Sequence, residues 1–195
     1  MKKYVVLSLV LIELFFSSVY AKSCVVFFSL DTLDLGAVDA STAATRHDFN
    51  THTVAQYVAE KTKSDLLRIE TMETYPNKMN AAINVFQEQL SGARAVSIKA
   101  DKDNLDSYDQ IYLGYPVWLN GMPNEIVAYL KMHEKELAGK RISIFSTTGG
   151  SPNSQSVTEI KNQFQQIVFG SAVSISMMQK DNYKTLIDEW LGKNS

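Results

Sequence analysis

One cysteine, Cys24, stands in a chain of 195 residues, so neither an intrachain disulfide nor a cysteine-built zinc site is available. No basic surplus is present: 19 Lys and Arg face 21 Asp and Glu, a net charge of −2. That balance argues against an electrostatic grip on nucleic acid. Histidines are few. His47 and His52 are five apart rather than the four of a helical metal pair, and His133 falls on a different segment, so no metal is expected. Neither a Gly-x-Ser-x-Gly elbow nor a Gly-x-x-x-x-Gly-Lys-Ser/Thr loop occurs, and no Gly-x-Gly-x-x-Gly follows the first strand. Hydrolase, P-loop and tightly held dinucleotide readings therefore fail. Internal repeats, low-complexity tracts and linkers are also missing. The acidic group Asp101, Asp103, Asp106 and Asp109 reads as a solvated, capped turn rather than a cation site. What remains, 45% apolar and 21% charged, is the composition of one globular domain.

The first 21 residues read differently from the rest. Lys2 and Lys3 precede an apolar stretch, Tyr4 to Tyr20, interrupted by Glu13 and closed by Val19-Tyr20-Ala21. A signal peptidase reads small residues spaced like Val19 and Ala21. The stretch falls short of the roughly 20 residues that span a bilayer, and Glu13 in its middle is costly there. The expectation is a cleaved export signal over 1–21 and a folded domain over 22–195, in the periplasm if the source has two membranes. An uncleaved, membrane-anchoring N-terminus is the alternative. Cys24 has no leucine three residues upstream, which disfavours a lipoprotein.

From Cys24 onward, strand and helix patterns alternate. Cys24 to Phe28 is an unbroken apolar run, suited to a strand buried on both faces. Asp65–Ile69, Gln110–Gly114 and Arg141–Phe145 predict three more strands, and a fifth falls within Phe169–Met177. Helical spacing marks Val54, Tyr57 and Val58, then Met79, Ala82, Ile83, Phe86 and Leu90 up to a stop at Gly92. Further stripes are Ile126, Val127 and Leu130 after Pro123, then Val157, Ile160, Phe164 and Ile167, then Tyr183, Leu186, Ile187 and Trp190. The alternation predicts an α/β fold with a doubly wound five-stranded parallel sheet, order 2-1-3-4-5, and helices on both faces.

In such sheets ligands bind outside the carboxyl ends of the strands. Three loops reach that edge. The first includes residues 30–48, a stretch without period, long enough to suggest a use. It ends on Asn50-Thr51-His52-Thr53, where helix-start N–H groups and hydroxyls make a phosphate cradle without a basic residue; an ordinary cap by Asn50 is the plainer account. The second, Gly114 to Pro123, carries Trp118, a ring that can stack on a planar ligand or cover the sheet edge. The third, Ser146 to Pro152, holds Gly149-Gly150, either a close backbone approach to a ligand or a plain turn.

With these pieces in hand the chain resembles the flavodoxin family, in its branch with an extended first loop. The matching stretches are Val25 to Ser29, Asn50 to Ala55, Asp65 to Glu70, Glu73-Thr74-Tyr75-Pro76, Tyr108 to Trp118, Met122-Pro123 and Phe145 to Ser151. Gly114-Tyr115-Pro116-x-Trp118 with Met122-Pro123 discriminates best. The resemblance implies FMN as cofactor and electron transfer through it. By the same resemblance Ser29, Asn50, Thr51 and Thr53 would hold the phosphate. Pro116, Val117, Trp118, Leu119 and Asn120 would lie against the isoalloxazine, and Thr147, Thr148, Gly149 and Gly150 would reach its pyrimidine edge. The chain departs from the family pattern at Phe49, where glycine is usual, at Trp118-Leu119 in place of a Trp pair, and at Asn120-Gly121 in place of Gly-Thr. The expected role is an electron carrier for a redox partner protein or a small acceptor. The alternatives are a reductase of the NAD(P)H-quinone type and a flavin-free binding module. No catalytic side chain is expected.

Overall fold

The computed structural model describes residues 22–31, 49–99, 104–150 and 152–193. The predicted export segment and residues 32–48 of the long first loop lie outside them. Five strands, β1 (Ser23–Phe27), β2 (Asp65–Arg68), β3 (Gln110–Pro116), β4 (Arg141–Thr148) and β5 (Val168–Ser176), form one parallel sheet in the order β2-β1-β3-β4-β5. This is the topology expected from the sequence. Crossovers run through helices α1 (Thr51–Thr62), α2 (Met79–Leu90), α3 (Asn124–Met132) and α4 (Ser154–Gln163), and the chain closes with α5 (Tyr183–Gly192).

The apolar run of β1 serves both faces, because successive side chains of a strand point opposite ways. Val25 and Phe27 pack with Val54 and Val58 of α1 and Ile187 and Trp190 of α5. Cys24, Val26 and Phe28 pack on the other side with Ile126 and Leu130 of α3 and Ile160 of α4. Asn50 starts α1 from an extended backbone, its side-chain oxygen accepting the Thr53 N–H at 2.9 Å. Gly92, at φ 76, follows the end of α2 in the left-handed conformation that glycine adopts without steric cost.

Two local expectations are corrected. The stripe through Phe164 and Ile167 predicts a helix reaching them, but α4 ends at Gln163. Phe164 leaves helical geometry (φ −119, ψ 67), and the Ile167 N–H turns back to its carbonyl at 3.1 Å. Both side chains stay buried, filling the core from a turn that leads into β5. Pro116, Thr147 and Thr148, read as loop residues, lie on strand ends, with Pro116 paired to Thr147. Proline fits there because β1 has stopped opposite Gly114, so no N–H is needed towards it. Phe49 stands where the family pattern has glycine. Its ring is buried in the core, packed against Tyr183 with 5.5 Å between centroids.

Among the described residues no helix is long and apolar enough to cross a membrane.

Candidate functional site

A cleft of about 460 Å³ opens at the carboxyl ends of β1, β3 and β4. Its walls come from all three predicted loops: Ser29, Asn50 and Thr51 from the first, Pro116, Val117, Trp118 and Leu119 from the second, Thr147, Thr148 and Gly149 from the third. The Thr51 and Thr147 hydroxyls lie 2.7 Å apart and buried, joining the start of α1 to the end of β4. Thr147, assigned by resemblance to the pyrimidine edge, therefore has its hydroxyl at the helix start. By helix geometry the first N–H groups of α1 have no partner within the helix. Those of Thr53 and Val54 are taken by the Asn50 side chain and carbonyl, which leaves the Thr51 and His52 positions to face a ligand.

Three of the predicted contacts do not line the cleft. Thr53 lies further into α1, its hydroxyl donating to Asn50 Oδ1 at 3.3 Å. Asn120 is exposed at a turn tip. Gly150 directs its N–H back to Thr148 Oγ1 at 3.1 Å. The turn is a two-residue hairpin. Trp118 and Gly121 exchange backbone hydrogen bonds of 3.1 and 2.8 Å around Leu119 (φ 48) and Asn120 (φ 64). Both central residues at positive φ define the type I′ turn. For leucine that conformation costs roughly 1–2 kcal/mol, and Leu119 stands 52% exposed at the cleft rim.

Trp118 is half-buried and held by rings on three sides: Phe86 at 5.0 Å and Phe28 at 5.8 Å edge-on, and Tyr75 at 6.1 Å tilted. Its orientation is thereby fixed before any ligand arrives. Sequence reasoning took α2 for a packing helix only. In the fold, Met79, Ala82, Ile83 and Phe86 make an apolar wall of the cleft, with Met177 after β5 adding to it. The same helical stripe that marks a core face marks a ligand face, so periodicity alone does not separate them.

Charge enters from Arg68 and Asp31, which the sequence reading did not single out, and from His52, which it set aside as a metal ligand. Arg68, at the end of β2, donates Nη2 to the Ser29 carbonyl at 2.8 Å and pairs through Nη1 with the Asp31 carboxylate. His52 Nδ1 lies 3.1 Å from the same Asp31 oxygen, its ring stacked on Phe27 at 5.1 Å. Asp31 itself lines the cleft. Burial pushes its carboxyl up, but the Arg68 guanidinium, the Ser29 hydroxyl and His52 together outweigh this and hold it below the usual aspartate range. A charged residue at the carboxyl end of the strand beside β1 was the available signal. Among the described residues no cluster of His, Cys, Asp and Glu could hold a metal ion.

Comparison with known proteins agrees with this geometry. The sequence profile of a family described as Flavodoxin matches residues 43–194. No curated protein is similar enough to count as a match. Among solved structures, a flavoprotein in complex with FMN from Lactobacillus acidophilus is 16% identical, with a TM-score of 0.64 over 88% of this chain and 99% of its own. Candidate flavoproteins from Bacteroides uniformis and Bacteroides eggerthii are 21% and 22% identical, both with a TM-score of 0.62, covering 86% and 89% of this chain and 98% and 97% of their own. At such identities the likeness is one of fold.

Proposed function

Starting from a chain that belongs to the flavodoxin family, we propose that this cleft binds FMN and that the protein works as an electron carrier. The observation that carries the reading is the division of the cleft. One end gathers the hydroxyls of Ser29, Thr51 and Thr147 at a helix start, with Asn50 shaping its cap. The other end is apolar, lined by Trp118, Met79, Ala82, Ile83 and Phe86. A phosphate takes the first kind of surface, since helix-start N–H groups and hydroxyls are donors and the dipole favours an anion. A flat tricyclic ring takes the second. The donor set thus suits FMN at both ends, and a Cβ at Gly149 would meet nothing within 4 Å, so that rim is open.

Bound FMN supplies the redox chemistry; the protein's part is to bind, orient and shield it. Ser29, Thr51 and Thr147 would hold the phosphate. Trp118, braced by Phe28, Tyr75 and Phe86, would set the plane of the ring. Thr148 and Gly149 would border the pyrimidine edge, and Leu119 the exposed rim where an electron partner can approach. The flavin-free alternative draws on Phe49 and on the long loop 30–48; the buried ring of Phe49 weakens the first motive, and residues 32–48 of the loop lie outside the described residues.

Titration with FMN and with riboflavin tests the reading. The wild type should turn yellow with FMN and bind it more tightly than riboflavin. Thr51→Val should weaken FMN by about 1.5–3 kcal/mol and riboflavin much less, because only FMN carries the charged acceptor. A protein that stays colourless after addition of FMN would refute the proposal. Export rests on residues 1–21 alone: the native protein should have an intact mass lacking Met1 to Ala21 and be found outside the cytoplasm. The full-length mass in the membrane fraction would mean an anchor instead.

A further inference from the structure

We propose that Arg68 is a phosphate-binding residue of this cleft and that Asp31 is its resident competitor, a carboxylate occupying the guanidinium where the phosphate of FMN would sit. The proposal rests on the FMN reading and adds to it the charge that the helix start lacks.

The hydroxyls and N–H groups of the cradle carry no full positive charge. A dianionic phosphate drawn out of water into such a site gains most from a cation with two or more donors in a fixed fork, which is what a guanidinium offers. Arg68 is already in place. One of its nitrogens is fixed to the Ser29 carbonyl at 2.8 Å, its charge lies 5.7 Å from the centre of the Phe27 ring, and the other nitrogen faces Asp31. Ser29 and Asp31, the two residues that Arg68 holds, both line the cleft; Arg68 itself does not, so its guanidinium meets a ligand only where Asp31 gives way.

Asp31 is poorly matched to the place it holds. Its Oδ2 serves Arg68 and His52 together and the Ser29 hydroxyl also donates to the carboxylate, while Oδ1 is buried with no hydrogen-bond partner among the described residues. A buried acceptor without a donor is unfavourable. A phosphate has three terminal oxygens with which to meet the Arg68 fork, the Thr51 hydroxyl and the N–H groups at the start of α1. It also cannot share the cleft with an adjacent carboxylate without like-charge repulsion. Phosphate entry and Asp31 departure are therefore one exchange, in which Arg68 trades a carboxylate for a phosphate. The arrangement keeps the guanidinium paired in the apo protein and sets FMN affinity below what the cradle would give by itself.

The test is calorimetric titration of FMN and riboflavin into the full chain at low ionic strength, for the wild type, Arg68→Gln, Asp31→Asn and the double variant. Arg68→Gln should weaken FMN by about tenfold or more and leave riboflavin within about twofold, since one charged hydrogen-bond pair to the phosphate is lost. Asp31→Asn should tighten FMN several-fold with riboflavin unchanged. The double variant should bind FMN no better than Arg68→Gln, because Asp31 acts only through that guanidinium. FMN affinity should fall with added salt in the wild type and more gently in Arg68→Gln, a readout that general loss of structure would not produce. Equal losses for both ligands in Arg68→Gln, or weaker FMN binding in Asp31→Asn, would overturn the proposal while leaving FMN as the ligand. A wild type that binds FMN and riboflavin equally removes the phosphate site itself, and the proposal and the cradle reading fall together.

Discussion

Gly114→Ala should destabilise the protein by about 3 kcal/mol or more in urea unfolding, at the upper end of what overpacking a core costs. The reason is space and not backbone conformation, for Gly114 does not have a positive φ. It lies on β3 directly across from Phe145 of β4, and the Phe145 ring covers it. An added Cβ would fall 2.1 Å from Phe145 Cζ and 2.4 Å from Cε2, distances no side chain tolerates. The ring has little room to retreat, since Phe145 is fully buried and Trp190 stands edge-on at 6.1 Å. The alternative is to part β3 from β4, which breaks the ladder that carries Pro116 opposite Thr147 into the cleft. FMN affinity should fall together with stability. Shortening the obstructing ring in Gly114→Ala/Phe145→Leu should recover part of the loss, a coupling readable in a double-mutant cycle. Gly114→Ala within about 0.5 kcal/mol of wild type would show that the ring yields freely, and the packing argument would fail.

Tyr75→Phe should cost about 1–3 kcal/mol, more at pH 8 than at pH 5, because it strips a donor from a buried acid. Glu125, in the first turn of α3, is 0% exposed. Its Oε1 accepts a short hydrogen bond from the Tyr75 hydroxyl and another from Gln89 Nε2 at 3.2 Å, while Oε2 has no partner among the described residues. Gln89 Nε2 also donates to the Tyr75 oxygen at 2.5 Å, closing a three-residue network between α2, α3 and the segment after β2. Burial raises the Glu125 carboxyl above the usual glutamate range, and the Tyr75 and Gln89 donors pull it only part of the way back.

The direction of the pH effect follows from that shift. A carboxyl raised on folding binds its proton more tightly in the folded protein than in the unfolded chain. Its contribution is complete below the ordinary glutamate value and is lost as pH rises through the raised one. Wild-type stability should therefore fall between pH 5 and pH 8 by an amount that Glu125→Gln removes. Tyr75→Phe takes away a donor that favours the ionised form, so the carboxyl moves higher still and the pH slope steepens. Identical slopes for wild type and Glu125→Gln would mean that Glu125 is not the group responsible. Because Tyr75 also braces Trp118, the same variant should loosen the aromatic wall of the cleft.

The fold was legible in the sequence because burial writes itself along each segment. Cys24 to Phe28 has no polar alternation since both faces of β1 are covered, and the stripe from Met79 to Leu90 coincides with α2 at both ends. Asn50 announced the start of α1 by a bond to Thr53, three residues away. All of these are local: a period, a cap, a stop. The three loops of the site could be placed because parallel order sends the carboxyl ends of β1, β3 and β4 to one edge.

What the tertiary structure decided is which segments meet across that edge. Arg68 is separated from Ser29 by 39 residues and from Asp31 by 37, and Thr51 from Thr147 by 96. No spacing rule connects such positions, since each βαβ crossover inserts a helix of variable length between neighbouring strands. Glu125 lay in a stretch that sequence pattern reads as an amphipathic helix, and only the approach of Tyr75 and Gln89 makes its burial tolerable. The apolar face of α2 was visible, but its splitting between core and cleft depends on where Trp118 comes to rest against Phe86. Periodicity records that a side chain leaves water; the partner that receives it, a core, a ligand or an opposing charge, is fixed by the packing of elements far apart in the chain.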